Sequence, residues 1–257
     1  MKPTKSLFVT AALILGAMGV QAAGFVQNGN YLTVQLKQHQ NYGPSQIRLQ
    51  VVSDRIIRVQ ATAEQGFRNK QSLIIVPQNS KAQYKVEEQG DDLIITTAAM
   101  RAVLNEATGQ ITFYDLKDQV LLKEVAQGGK TFKPFTVPDR EIGVDIAKVP
   151  EAQKHGWSWR ALFDSPDNEA FYGLGQHQSE ELNMKGKNED LFQYNTKVSV
   201  PFVISNKNYG ILWDSYSYSR WGNPDDYLQL NRAFKLYDKD GKEGQLTGTY
   251  VDKNGQK

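Results

Sequence analysis

The chain has 257 residues, 40% hydrophobic and 11% aromatic, a length and composition that fit one large domain or two small ones and exclude disorder over the whole length. Its 30 lysines and arginines against 28 aspartates and glutamates leave a net charge of +2, without the basic footprint of a nucleic-acid binder or a polybasic membrane binder. The absence of cysteine excludes disulfides, thiolate metal sites and cysteine nucleophiles.

In chain order, the first element is a leader. Lys2 and Lys5 precede the apolar run Leu7 to Val20, and Val20-Gln21-Ala22 offers small residues at the two positions a signal peptidase reads. The run of 14 residues is shorter than the roughly 20 that span a bilayer, so a retained membrane anchor is the weaker reading. We expect residues 1–22 to be a cleavable signal peptide and the mature protein, from Ala23, to be secreted or periplasmic, with no cysteine to take a lipid. The mature part then carries 28 basic and 28 acidic residues.

From Tyr31 onward, short runs of valine, isoleucine, leucine and aromatics alternate with polar residues and stop at turn formers, which is the pattern of antiparallel strands. Strands are expected at YLTVQL from Tyr31, IRLQVV from Ile47, RIIRVQA from Arg55, LIIV from Leu73, QYKVEE from Gln83 and DLIITT from Asp92. Two more flank the Glu106 to Gly109 turn of RAVLNEATGQITFYD, and VLLKEV follows from Val120. Ser53-Asp54, Gln89-Gly90-Asp91 and Lys117-Asp118 mark hairpin loops between them. Later come SWRALFD from Ser158, VSVPFVIS from Val198, YGILWDS from Tyr209 and YLQLNRAFKLYD from Tyr227. Pro201 inside one of these implies a sheet edge or a bulge. So many strands without crossover helices predict an all-β, antiparallel two-sheet β-sandwich over residues 23–238. Residues 239–257 turn polar and glycine-rich and read as a linker or the start of a further module.

The tract from Gly156 to Asp238 holds all four tryptophans, and eight of the twelve tyrosines lie from Tyr172 onward. Two accounts stand side by side: aromatics that fill a core and one apolar seam, or aromatics that form a surface facing sugar or another domain.

Self-contained chemistry is hard to find. His39, His155 and His177 offer no local metal pair and read as surface or loop residues, and no HExxH, GxSxG or P-loop pattern occurs. The neighbours Glu180-Glu181, Glu189-Asp190 and Asp225-Asp226 cannot easily flank one bond, because adjacent residues on a strand point to opposite faces. Asp238-Lys239-Asp240-Gly241 starts like a calcium loop but lacks the later ligands and reads as a turn. Neither a metal nor a cofactor is expected.

The stretch Phe171 to Ser215 contains, in order, FYGLG, QYNT, VPFVIS and YGILWD. These four ordered blocks resemble the N-terminal β-sandwich of glycoside hydrolase family 31, a galactose-mutarotase-like domain, in its bacterial α-xylosidase branch. VVSDRIIRVQAT and RAVLNEATGQITFYD resemble the same sandwich, so the likeness covers Gly24 to Asp238. It implies a parent that is a secreted retaining α-glycosidase, releasing α-linked xylose from xyloglucan-type oligosaccharides. In such enzymes two aspartates on a following (β/α)₈ barrel do the chemistry. The barrel motifs have no counterpart in these residues, so the resemblance implies a shortened, non-catalytic domain that supports the barrel and shapes substrate access. The tail GQLTGTYVDKNGQK resembles the first strand of a carbohydrate-binding insert that some members carry.

The resemblance also implies site residues. A sandwich loop that reaches over the barrel mouth, often Arg-Asp-Thr in the family, matches Tyr194, Asn195 and Thr196 here. The arginine and the carboxylate are both replaced. Asn195 and Thr196 are the first candidates for oligosaccharide contact, the asparagine amide being able to donate to and accept from sugar hydroxyls; a plain turn asparagine is the alternative. Gln176, His177 and Gln178, after the Gly173 and Gly175 turn, are second candidates, and Trp221 either stacks on sugar or packs against the barrel. The isolated sandwich should then leave an apolar face exposed. The alternative function is a stand-alone secreted carbohydrate-binding or structural β-sandwich.

Overall fold

The computed structural model of the chain describes residues 24–37, 40–68, 71–76, 81–136, 146–178, 181–215 and 217–222. The expected leader, His39, the strand expected from Tyr227 and the 239–257 stretch lie outside the described residues.

Two antiparallel meanders form the first half. Strands β1 (Phe25–Asn28), β2 (Tyr31–Gln35), β3 (Gln46–Ser53) and β4 (Ile56–Thr62) make a four-stranded sheet in sequence order. Strands β5 (Tyr84–Gln89), β6 (Asp92–Thr97), β7 (Arg101–Asn105), β8 (Ile111–Tyr114) and β9 (Val120–Lys123) make a five-stranded sheet, also in sequence order. Period-two alternation aims one face of each sheet inward. Leu32 lies opposite Leu49 and Leu49 opposite Val59, while Leu93 lies opposite Leu104 and Leu104 opposite Ile111. These residues, with Val34, Ile47, Val51 and Ile95, join in one core between the sheets. Burial of each such side chain contributes roughly 1.5–3 kcal/mol, which is why these two sheets face each other.

A ribbon of β10 (Lys130–Thr136) and β11 (His155–Ala161) follows, separated by a 3-10 turn at Ile146–Lys148 and a four-residue helix at Glu151–Lys154. The second half is built on β12 (Phe171–Gln176), β13 (Glu189–Leu191), β14 (Val198–Ser205), β15 (Tyr209–Leu212) and β16 (Ser219–Trp221). Here β14 is central in a three-stranded sheet between β12 and β15, and β13 pairs with β16. Phe171, Leu174, Met184, Leu191 and Val203 form a second core, flanked by Tyr209, Ile211, Trp213 and Trp221. Asp214 ties the halves together: Arg58 of β4 donates to it at 3.1 Å and the Ser72 hydroxyl at 3.0 Å.

The antiparallel sandwich expected from the sequence is present, with β1, β10, β13 and β16 added to the expected strands and two segments corrected. The LIIV segment is not a strand. The Ser72 hydroxyl accepts from the backbone N–H groups of Ile74 (3.2 Å) and Ile75 (2.9 Å), which turns the chain and removes those donors from any ladder; Leu73 is left 80% exposed. Conversely FYGLGQ, glycine-bearing and polar in the sequence, is the strand β12. Pro201 lies in central β14 and is accommodated by a bulge, not an edge: Gly173 pairs with Val203 but Gly175 pairs with Ser199, so the register shifts across Pro201.

Candidate functional site

The FYGLG block shapes the site. Gly173, Leu174 and Gly175 all have positive φ, at 133°, 69° and 100°. A Cβ at Gly173 would lie 2.6 Å from the Phe202 carbonyl oxygen and one at Gly175 only 2.1 Å from that of Val198. Only glycine lets β12 approach β14 this closely, and the bulge turns the Leu174 side chain fully into the second core. A cleft of about 260 Å³ opens beside it, lined by Gly173, Gly175, Gln176, His177, Glu181 and Met184.

His177, expected as a surface or loop residue, lies in the loop directly after β12, but its side chain is only 6% exposed. Its Nε2 donates to the Leu174 carbonyl at 2.7 Å, which fixes the tautomer, and its Nδ1 lies 3.0 Å from Glu189 Oε1, out of line for a hydrogen bond. The same carboxylate oxygen accepts from Lys197 Nζ, which also donates to the Asp190 carbonyl at 2.5 Å. Asp190, the neighbour of Glu189, faces the other way and accepts from Arg220 Nε at 2.8 Å. Burial and a hydrogen bond to Asp190 push the Tyr218 phenol up to about 12.

Asn195 and Thr196 occupy the exposed tip of a tight turn closed by the Lys197 N–H on the Tyr194 carbonyl at 3.0 Å. Because Gln176 pairs with Val198, this turn and the Gln176 to Gln178 segment emerge at the same end of the β12/β14 pair. Gln176 and Gln178 are exposed. Half-exposed Tyr194 stands 6.2 Å from Phe192, which meets Tyr218 edge-on at 6.3 Å, so an aromatic cluster flanks the turn. Trp221 stands apart from these candidates in the second core: it stacks on Trp213 at 6.2 Å, meets Phe171 edge-on at 5.2 Å, and donates to the Met184 carbonyl at 3.0 Å.

One face of the three-stranded sheet is apolar and exposed. On β14, Val198, Val200, Phe202 and Ile204 point outward, with Tyr172 opposite Ile204 and Leu212 opposite Phe202. Trp157 and Trp159 of β11 are also exposed, so the tryptophans divide between core and surface. Among the described residues no group of three His, Asp or Glu is placed to hold a metal, and no helix is long and apolar enough to cross a membrane.

Residues 46–221 match the family described as the glycosyl hydrolase 31 N-terminal galactose mutarotase-like domain. The chain belongs to this family. An uncharacterised family 31 glucosidase of Pseudescherichia vulneris is 26% identical over 66% of this chain and 32% of its own length. An α-xylosidase of Saccharolobus solfataricus is 25% identical over 68% of this chain and 23% of its own. The crystal structure of the family 31 α-xylosidase of Xanthomonas citri superposes with a TM-score of 0.67 at 35% identity, covering 85% of this chain and 22% of that one. The chain thus spans less than a third of the length of each of these relatives.

Within this family 31 domain the sequence reading missed Glu189, Lys197 and the Phe192–Tyr218 pair. Glu189 was weighed only as a neighbour of Asp190, and Lys197 follows QYNT without any local feature to mark it as buried. The signal that could have found Glu189 is alternation: Glu189 and Leu191 share the more buried face of β13.

Proposed function

We propose that this domain is the non-catalytic N-terminal sandwich of a secreted α-xylosidase-like retaining glycosidase acting on xylosylated oligosaccharides. The observation that carries the reading is the 35% identity to a family 31 α-xylosidase over 85% of this chain. In this role the apolar face of Val200, Phe202, Ile204 and Leu212 seats the catalytic barrel, whose own bulk supplies the apolar cover that such a patch calls for. The Asn195–Thr196 turn reaches toward the barrel mouth, and its amide and hydroxyl meet sugar hydroxyls at the leaving-group side, with Gln176 and Gln178 beside it. Nucleophile and general acid come from the barrel. Export is supported by the two lysines and the apolar run that begin the chain.

The test is the encoding DNA downstream of Lys257. An in-frame barrel sequence, continuous or interrupted by one stop or frameshift, agrees with the proposal; an unrelated gene points to a stand-alone sandwich. In an enzyme carrying this domain, Asn195→Ala is expected to raise KM for a xylosylated oligosaccharide several-fold, while an aryl α-xyloside, which lacks the leaving-group sugar, is hydrolysed as before. Equal effects on both substrates would place Asn195 outside the leaving-group subsite.

A further inference from the structure

The candidate contact residues lie on two separate pieces of chain, and a largely buried charged relay from Lys197 to β13 fastens one of them. Lys197 closes the turn through its backbone and sends its side chain inward, where it is 9% exposed, onto Glu189, itself 15% exposed. His177, between Gln176 and Gln178, packs its ring against the same Glu189 oxygen without a hydrogen bond to it and is held instead by its Nε2 donating to the Leu174 carbonyl at 2.7 Å. The Leu174 carbonyl belongs to the positive-φ run Gly173 to Gly175, which the close approach of β14 fixes. The turn is therefore fastened to β13 by largely buried polar contacts, while strand pairing of Gln176 with Val198 sets it beside the Gln176 to Gln178 segment.

An exposed ion pair does little to hold two segments, but a buried one is costly to break, because the partner left behind is a charge without water. Glu189 and the Asp190 carbonyl together hold the Lys197 ammonium, so the turn follows β13. We infer that Glu189 and Lys197 are positioning residues that lock the Asn195–Thr196 turn onto β13, beside the Gln176 to Gln178 segment, so that the two present one preformed sugar-contact edge. That the edge meets sugar rests on the function proposed above; that the relay holds it does not.

The test uses the full chain labelled with nitrogen-15, in wild type, Lys197→Met, Lys197→Arg and Glu189→Gln forms, with backbone order parameters and a titration with xylose. In wild type the amides of Asn195 and Thr196 are expected to be ordered near ~0.85, and in Lys197→Met and Glu189→Gln to fall below ~0.6, while core amides such as Leu49 and Leu104 stay unchanged. Lys197→Arg, which keeps the charge, restores most of the order. Rigid turn amides in both charge-removing variants would overturn the relay, as would a Lys197→Arg chain as loose as Lys197→Met. Should Lys197→Met fail to fold, Glu189→Gln and Lys197→Arg decide the matter alone. Xylose-induced shifts confined to Asn195, Thr196, Gln176 and Gln178 in wild type, weakened at least tenfold in Glu189→Gln, extend the relay to binding. Absence of shifts in wild type counts against sugar contact by this chain and leaves the order parameters to judge the relay.

Discussion

A methyl group at Gly175 would sit 2.1 Å from the Val198 carbonyl oxygen, on a backbone whose φ is +100°. Gly175→Ala is therefore expected to lose about 1–3 kcal/mol from conformation alone, with the steric overlap in addition, read as a lower urea midpoint. Gly29→Ala, with a positive φ but nothing within 4 Å of the added carbon, is expected to lose less than Gly175→Ala. A second residue-scale case is Lys130, whose Nζ meets the buried Glu124 carboxylate and donates to the Gly109 carbonyl at 3.1 Å. Burial pushes Glu124 up and Lys130 down, against their mutual attraction. Lys130→Met leaves the carboxylate unpaired and is expected to cost about 3–5 kcal/mol at neutral pH; adding Glu124→Gln recovers most of it. With its counter-charge gone, the folded-state carboxyl titrates above its ordinary 4.5, so the loss shrinks as pH falls toward that value and grows as pH rises through the folded one. Thermal melts of the single and double variants across pH check both statements. The glycines are legible in the sequence because the FYGLG block marks them. The Glu124–Lys130 pair is not, since five loop residues separate two ordinary surface-type side chains.

At the scale of elements, β14 and β15 are fastened at the Ser205–Tyr209 turn by Glu169, which is 3% exposed and accepts from both hydroxyls at 2.5 Å. Burial, and then the hydrogen bond to Glu169, push the Tyr209 phenol well above its ordinary 10.0. A folded value raised above the unfolded one means that this contribution is complete below pH 10.0 and is lost as pH rises toward the folded value. Tyr209→Phe is expected to melt earlier at pH 8, by about 1.5–3 kcal/mol for a hydrogen bond to a charged acceptor, and to show a shallower decline above pH 10 than wild type. Parallel curves for the two proteins would remove Tyr209 from the alkaline response. Strands with clean alternation, such as β2, β3, β6 and β7, were readable because one face of each meets the core and the other meets water. LIIV was misread because hydrophobic composition says nothing about a pairing partner, and the hydroxyl that bends it belongs to Ser72, just before the run. In β12 the difficulty was opposite, since glycines that weaken a strand in isolation are what its close neighbour requires.

Across the whole molecule, the described residues form two cores and leave one apolar face of the three-stranded sheet exposed. The all-β sandwich was legible from its alternating strands and the family from four ordered blocks, and the match over residues 46–221 agrees with both. The placement of the site residues was only partly legible. The sequence named Gln176 to Gln178 and Asn195–Thr196 as separate candidates, whereas their nearness at one end of β12/β14 is a product of strand pairing between residues about twenty apart. The assignment of chemistry to a barrel outside these residues is tested most directly by steady-state hydrolysis of an aryl α-xyloside with the purified chain from Ala23 to Lys257. The account predicts no release of the aryl group above the buffer rate at any pH from 4 to 9. Saturable turnover that survives repurification would contradict it, and would require a carboxylate pair within the sandwich itself.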